Sequence, residues 1–172
     1  GGLRMNGKKE DDVNVSNLTL RESKEHGVWG YKGASMHLDN VSVENSGHCG
    51  LDVRGSKRNT MKNCNVSHST NFGLYVSRGV LMTIDGNATT IHHNGTNGND
   101  YGLNAFSSSS IHLVSPLTKE MISTNNNGGN NYKGTIQTIT NNNTRRKKTN
   151  EQINTTNLKI YNKHTGKCRT YN

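Results

Sequence analysis

Apolar and polar residues alternate in short runs along this chain, and the runs return at a near-fixed interval. Gly27-Val28-Trp29-Gly30, Gly50-Leu51-Asp52-Val53 and Gly73-Leu74-Tyr75-Val76 start 23 residues apart. Gly102-Leu103-Asn104-Ala105 follows after 29 residues, the extra length falling in the polar stretch HHNGTNGND, and Gly2-Leu3-Arg4-Met5 stands 25 residues before Gly27. Val15, Leu38, Met61 and Ile84 keep the 23-residue step, as do the series Asn17/Asn40/Asn63, Leu18/Val41/Cys64, Leu20/Val43/Val66 and Ser23/Ser46/Ser69. Alternation with period two marks strands, and no segment carries a sustained helical stripe. Short strands at this repeat length predict an all-β solenoid of parallel strands, about five coils over residues 1–140.

Composition fits once the repeat is seen. Only 28% of residues are hydrophobic, low for an ordinary core, but stacked coils bury apolar residues that one coil alone would expose. Asn17, Asn40 and Asn63 are expected to turn inward at a bend and form an amide ladder from coil to coil. The repeat glycines are expected at tight corners needing positive φ.

The segments "NLTL…GV", "NVSV…GLDV" and "NCNV…GLYV" resemble the right-handed parallel β-helix of the pectin-lyase-like superfamily. The stretch "DYGLNAFSSSSIHLVSPLTKEMISTNNNGGNNYKG" also resembles β-helix repeat proteins of marine microalgae and the large DNA viruses that infect them. The first resemblance implies polysaccharide chemistry or binding. The second implies a virion or cell-surface component in which catalysis is not a given.

The alternation assigns faces. Val28, Leu51, Leu74 and Leu103 point inward, as do Val53, Val76 and Ala105, with Gly30 at the corresponding place. Arg4, Trp29, Asp52, Tyr75 and Asn104 form one outward column; Asn6, Tyr31, Arg54, Ser77 and Phe106 form a second. The predicted binding face is therefore Trp29, Tyr31, Asp52, Arg54, Tyr75 and Phe106, with Asp52 and Arg54 as an exposed pair. Rings beside polar groups suit sugars and other amphipathic ligands.

A catalytic set would draw on Asp52, Arg54, Tyr75 and His48, with His68 on the following coil. Gly47-His48-Cys49-Gly50 resembles the Gly-His-Gly element of polygalacturonases. The paired aspartates of that family are missing, however, and so is the Asp-Pro-His motif of alginate epimerases. Asp52 is the one carboxylate in the two columns, so a two-carboxylate mechanism lacks a partner. Cys64 reads as a small buried apolar residue, and Cys49 as a poor thiolate. No cofactor or metal site is expected, since adjacent His92 and His93, even with Asp100, do not define one. Of eight Asn-x-Ser/Thr acceptors, Asn17 and Asn40 are expected to be too enclosed for a glycan.

Charge separates the chain into two parts. Residues 1–132 hold 12 Lys/Arg and 11 Asp/Glu, a net +1, whereas residues 133–172 hold 9 and 1, a net +8. From 141 to 172 the repeat is lost, so this part reads as a basic linker and extension or cap. Its cluster Arg145, Arg146, Lys147 and Lys148 suits an anionic partner. "LKIYNKHTGKCRTY" is expected to form a small hairpin that caps the last coil or reaches a neighbouring chain. No apolar run of about 18 residues is present, so no membrane span is expected, and the opening GGLRMNGKKEDD shows no signal-peptide core. The favoured functional reading is a non-enzymatic structural or binding module that recognises glycan or protein. The contrasting reading is a polysaccharide lyase, epimerase or hydrolase. Ice binding is disfavoured because no Thr-x-Thr columns occur.

Overall fold

The computed structural model describes residues 2–8, 11–56, 58–126 and 131–140, together with the strand backbone of 158–162 and 167–171. The chain divides into two compact units, Gly1–Ile139 and Thr140–Asn172.

The first unit is a parallel β-solenoid. Its first coil holds β1 (Leu3–Met5) and β2 (Asp12–Arg21), and its second β3 (Val28–Gly33) and β4 (Ser35–Glu44). The third holds β5 (Leu51–Ser56), β6 (Arg58–Lys62) and β7 (Asn65–Ser67), and the fourth β8 (Leu74–Ser77), β9 (Leu81–Asp85) and β10 (Thr90–His92). The fifth holds the long β11 (Leu103–Val114), a four-residue helix α1 (Lys119–Ile122) and β12 (Ser123–Thr124), and a sixth begins with β13 (Tyr132–Ile139). Three stacks result. The first face is β1, β3, β5, β8 and the starts of β11 and β13. The second is β2, β4, β6, β9 and the ends of β11 and β13, and the third is the end of β4 with β7, β10 and β12.

The predicted register is the observed one. Val28, Leu51, Leu74 and Leu103 are partners and fully buried, and Val15, Leu38, Met61 and Ile84 are partners in turn. The sixth coil was not foreseen, because its first-face residue after Leu103 is Tyr132, and it arrives behind a polar stretch with no repeat glycine.

Two expectations need correcting. The repeat glycines Gly27, Gly50, Gly73 and Gly102 do not adopt positive φ. They are required by proximity: a β-carbon on Gly27 would lie 2.8 Å from the Gly50 carbonyl oxygen, and one on Gly50 would lie 2.8 Å from that of Gly73. The same carbonyls accept from the coil before, as Gly50 O does from Val28 N–H and Gly73 O from Leu51 N–H, both at 2.8 Å. The left-handed bends belong instead to Asn17, Asn40 and Asn63, at φ 53°, 54° and 49°. Asparagine tolerates that region better than other non-glycine residues. Asn40 Nδ2 donates to Asn17 Oδ1 at 2.8 Å, so the rung exists, but both residues are exposed rather than enclosed. The steric objection to glycans there is thus removed.

The second unit contains β14 (Leu158–Asn162) and β15 (Lys167–Tyr171), paired antiparallel from Leu158–Tyr171 to Asn162–Lys167, as the expected hairpin requires. Arg145, Arg146, Lys147 and Lys148 lie outside the described residues. Among the described residues no helix is long and apolar enough to cross a membrane.

Candidate functional site

The first face brings Trp29, Asp52, Tyr75 and Asn104 into one register column, as predicted. Pointing away from the core does not mean exposure, however. Asp52 is 0% exposed and Asn104 7%. Both oxygens of the Asp52 carboxylate are held by its strand neighbour: Arg54 Nε donates at 2.7 Å and Nη2 at 2.5 Å. His26 Nε2 stands 3.5 Å from Asp52 Oδ2 on the other side. The pair is therefore bidentate, with Asp52 buried and Arg54 partly exposed, and not the exposed pair expected. The two hydrogen bonds to Asp52 hold the Arg54 guanidinium above its ordinary pKa. Ser77, also expected to face outward, is buried.

The residues just before the corner glycines, His26, Cys49, Phe72 and Tyr101, form a further column beside this face. The last three of these, with His48 and residues of the first face, line a groove of about 410 Å³. Phe72, Tyr75, Tyr101 and Phe106 supply its rings, and Arg54 and Lys133 its cations. Phe72 lies parallel to Tyr101 with centroids 6.5 Å apart, and Tyr75 is stacked near Phe106 at 6.4 Å. The Arg54 guanidinium sits 5.2 Å from the Tyr75 ring centre and Lys133 Nζ 5.3 Å from that of Tyr101, within cation–π range. Phe106 is 58% exposed. Asn104 also lines the groove, and its Oδ1 is buried and without a hydrogen-bond partner.

Of the predicted residues, Arg54, Tyr75, Phe106 and His48 meet at this groove, while Asp52 lies behind Arg54. Trp29 and Tyr31 lie on earlier coils, where Arg4 packs 4.4 Å from the Trp29 ring centre and Arg78 5.6 Å from that of Tyr31. Trp29 instead borders a recess of about 400 Å³ with Arg4, Glu25 and His26. Phe72, Tyr101 and Lys133 were missed as site residues. The first two are visible in the sequence as residues preceding a repeat glycine, but strand alternation does not report where a turn residue points.

Cys49 is 1% exposed, and burial, then the nearby Asp52 carboxylate, push its thiol up to about 12. That agrees with a poor thiolate in the metal-free protein. Cys64 is likewise buried, its thiol donating to the Lys62 carbonyl at 3.2 Å. His92 and His93 touch through their Nδ1 atoms at 2.8 Å, and His68 stacks on His93 with centroids 5.2 Å apart. Asp100 does not join them; it accepts from Asn97 Nδ2 and lines the groove.

Stacked parallel coils, a buried inner column and a continuous outer face define a β-solenoid repeat protein. A family model described as the right-handed beta helix region matches residues 1–170, and the chain belongs to that family. No curated protein and no solved structure matches it.

Proposed function

We propose that this chain is a binding module whose groove takes an anionic glycan. The observation that carries the reading is the groove itself: a parallel pair of rings, the exposed Phe106, the Lys133 ammonium and the Arg54 guanidinium, with Asp100 as the one carboxylate among the described residues of the lining. Rings supply apolar faces for sugars, Lys133 and the outer side of Arg54 supply charge for carboxylate or sulfate, and Asp100 supplies an acceptor for a hydroxyl. Resemblance to pectin-lyase-like proteins supports a polysaccharide ligand, and the algal-virus resemblance supports display on a virion or cell surface. The basic cluster Arg145–Lys148 is then a tether to an anionic partner.

A binding role is favoured over catalysis because Asp52 is fully buried and saturated by Arg54, which leaves Asp100 as a single carboxylate in the groove lining, with no second one among the described residues there to work with it. A panel of anionic and neutral algal and plant polysaccharides tests this. Binding to an anionic member, weakened by salt and reduced roughly three- to tenfold in Phe106→Ala, is the expected result. Shortened or unsaturated products that vanish with Asp52→Asn would replace it with the enzyme reading, and no retention on any member would end it.

A further inference from the structure

At the rim of the groove, three metal-ligating side chains converge that the glycan reading does not use. His26 and Cys49 occupy equivalent places on successive coils, each just before a corner glycine, and His48 precedes Cys49. One ligand atom from each of the three lies within 4.8 Å of the other two. His48 Nδ1 and Cys49 Sγ are already 3.2 Å apart. The rings of His26 and His48 meet edge to face with centroids 4.6 Å apart.

The state of His26 is a second, independent observation. Its Nδ1 is buried and has no hydrogen-bond partner. A buried polar atom of that kind is unfavourable unless something fills its valence. Its Nε2 meanwhile faces the Asp52 carboxylate, which Arg54 fixes in place. One imidazole nitrogen beside a clamped carboxylate, and the other without a partner, is the arrangement by which an outer carboxylate orients a metal-bound histidine.

We propose that His26, His48 and Cys49 bind one Zn²⁺ ion, with Asp52 as the positioning residue for His26. Two imidazoles and a thiolate are a borderline-soft set that suits Zn²⁺ and not the oxygen-seeking Ca²⁺ or Mg²⁺. Tetrahedral zinc with bonds of about 2.0–2.3 Å needs donors roughly 3.5 Å apart. His48 and Cys49 meet that spacing, and the His26 ring has only to close on them. On binding, the Cys49 S–H proton leaves to solvent and a sulfur–zinc bond forms in its place, one proton per ion. His48 and Cys49 line the groove, so the ion enters from that side and its fourth position faces it. This site stands whether or not the groove holds a glycan.

Cobalt substitution tests the assignment. The full chain is stripped with a chelator and titrated with Co²⁺. We expect one equivalent bound, with a near-ultraviolet sulfur-to-cobalt charge-transfer band and tetrahedral visible bands, all displaced by Zn²⁺. Cys49→Ser removes the charge-transfer band. His48→Gln, at a half-buried position that leaves the core intact, weakens Co²⁺ binding at least about tenfold. A double His92→Gln, His93→Gln variant leaves both unchanged. No Co²⁺ uptake by the intact chain, a charge-transfer band that survives in Cys49→Ser, or uptake abolished by the His92/His93 variant would each overturn the site.

Discussion

One corner column of the solenoid is built in two ways. In the first three coils it holds Ser23, Ser46 and Ser69, all buried; in the next two it holds Asn94 and Asn126, also buried. Ser46 and Ser69 have hydroxyl oxygens with no partner. There the stacking is carried by backbone alone, as Gly47 N–H donates to Ser23 O at 2.7 Å and Thr70 N–H to Ser46 O at 2.9 Å. The asparagine half is saturated. Asn94 Oδ1 accepts from Ser69 N–H at 3.0 Å, and its Nδ2 donates to the Val66 and His92 carbonyls, both at 3.0 Å. Asn126 Oδ1 accepts from Asn94 N–H at 2.9 Å, and its Nδ2 donates to Ile91 O at 3.1 Å. The switch coincides with a change in coil length, from a step of 23 residues among the serines to 25 and then 32. A longer coil brings more turn backbone to the corner. An amide, with two N–H donors and a separate acceptor oxygen on a longer arm, satisfies more of it than a single hydroxyl can.

The contrast is sharpest at Asn94. Replacing it with alanine strands the Ser69 N–H inside the protein and takes a donor from the Val66 and His92 carbonyls, and should cost about 3 kcal/mol in urea unfolding. Asn40→Ala removes one exposed rung and places alanine in the left-handed region, which should cost about 1 kcal/mol. Equal losses at the two sites would erase the distinction between the enclosed stack and the exposed rung. A smaller effect comes from His92, whose carbonyl receives Asn94. Burial, then the neighbouring His93 and His68, hold its pKa below the ordinary 6.5. The unfolded chain therefore takes up the proton first as pH falls through about 6.5. Stability present above that value is lost until the folded His92 itself protonates. Melting curves of the metal-free chain from pH 7 to 5 should show this decline, and His92→Gln should flatten part of it; His26, also lowered by burial, supplies a further part. An unchanged slope in the variant would locate the dependence elsewhere. The smallest effect belongs to Ser69→Ala, which removes an unpartnered hydroxyl and should shift stability by less than about 0.5 kcal/mol in either direction. A large loss there would mean that the serine half is held by its side chains after all.

The same column shows how far the sequence carries. Ser23, Ser46 and Ser69 are legible because the step between them is constant. Asn94 is not, because an insertion breaks the step, and the asparagines that do keep it, Asn17 and Asn40, lie on the exposed bend. Strand directions were legible, since Val28, Leu51, Leu74 and Leu103 alternate with their neighbours. The burial of Asp52 was not. It depends on Arg54 folding back and on the His26 ring from the preceding coil, and period-two alternation describes a strand without its neighbours' side chains. Arg54, Tyr75 and Phe106 were found as site residues because they sit on strands, whereas Phe72 and Tyr101 sit on a corner whose side-chain direction only the stacked coils define. The His26–His48–Cys49 cluster escaped for a related reason. His48 and Cys49 are adjacent in the chain, but His26 reaches them only through the 23-residue offset between Gly27 and Gly50.

The glycine corner has a consequence for how the outer surface is ruled. At Gly27, Gly50 and Gly73 a carbonyl of the next coil stands 2.7–2.8 Å from where a β-carbon would lie, among side chains such as Val43, Ser46 and Val66, so the bare backbone lets each coil close on the next at strand spacing. Outward residues are thus mounted on a grating with a pitch of about 4.8 Å, whatever their identity. A linear polymer whose repeat matches that pitch, or a multiple of it, would stay in phase with the mounted residues along the face, although each coil presents a different side chain. One out of step would lose phase after a coil or two. In any linear ligand that such a face took, the scaffold would thus select for spacing apart from chemistry.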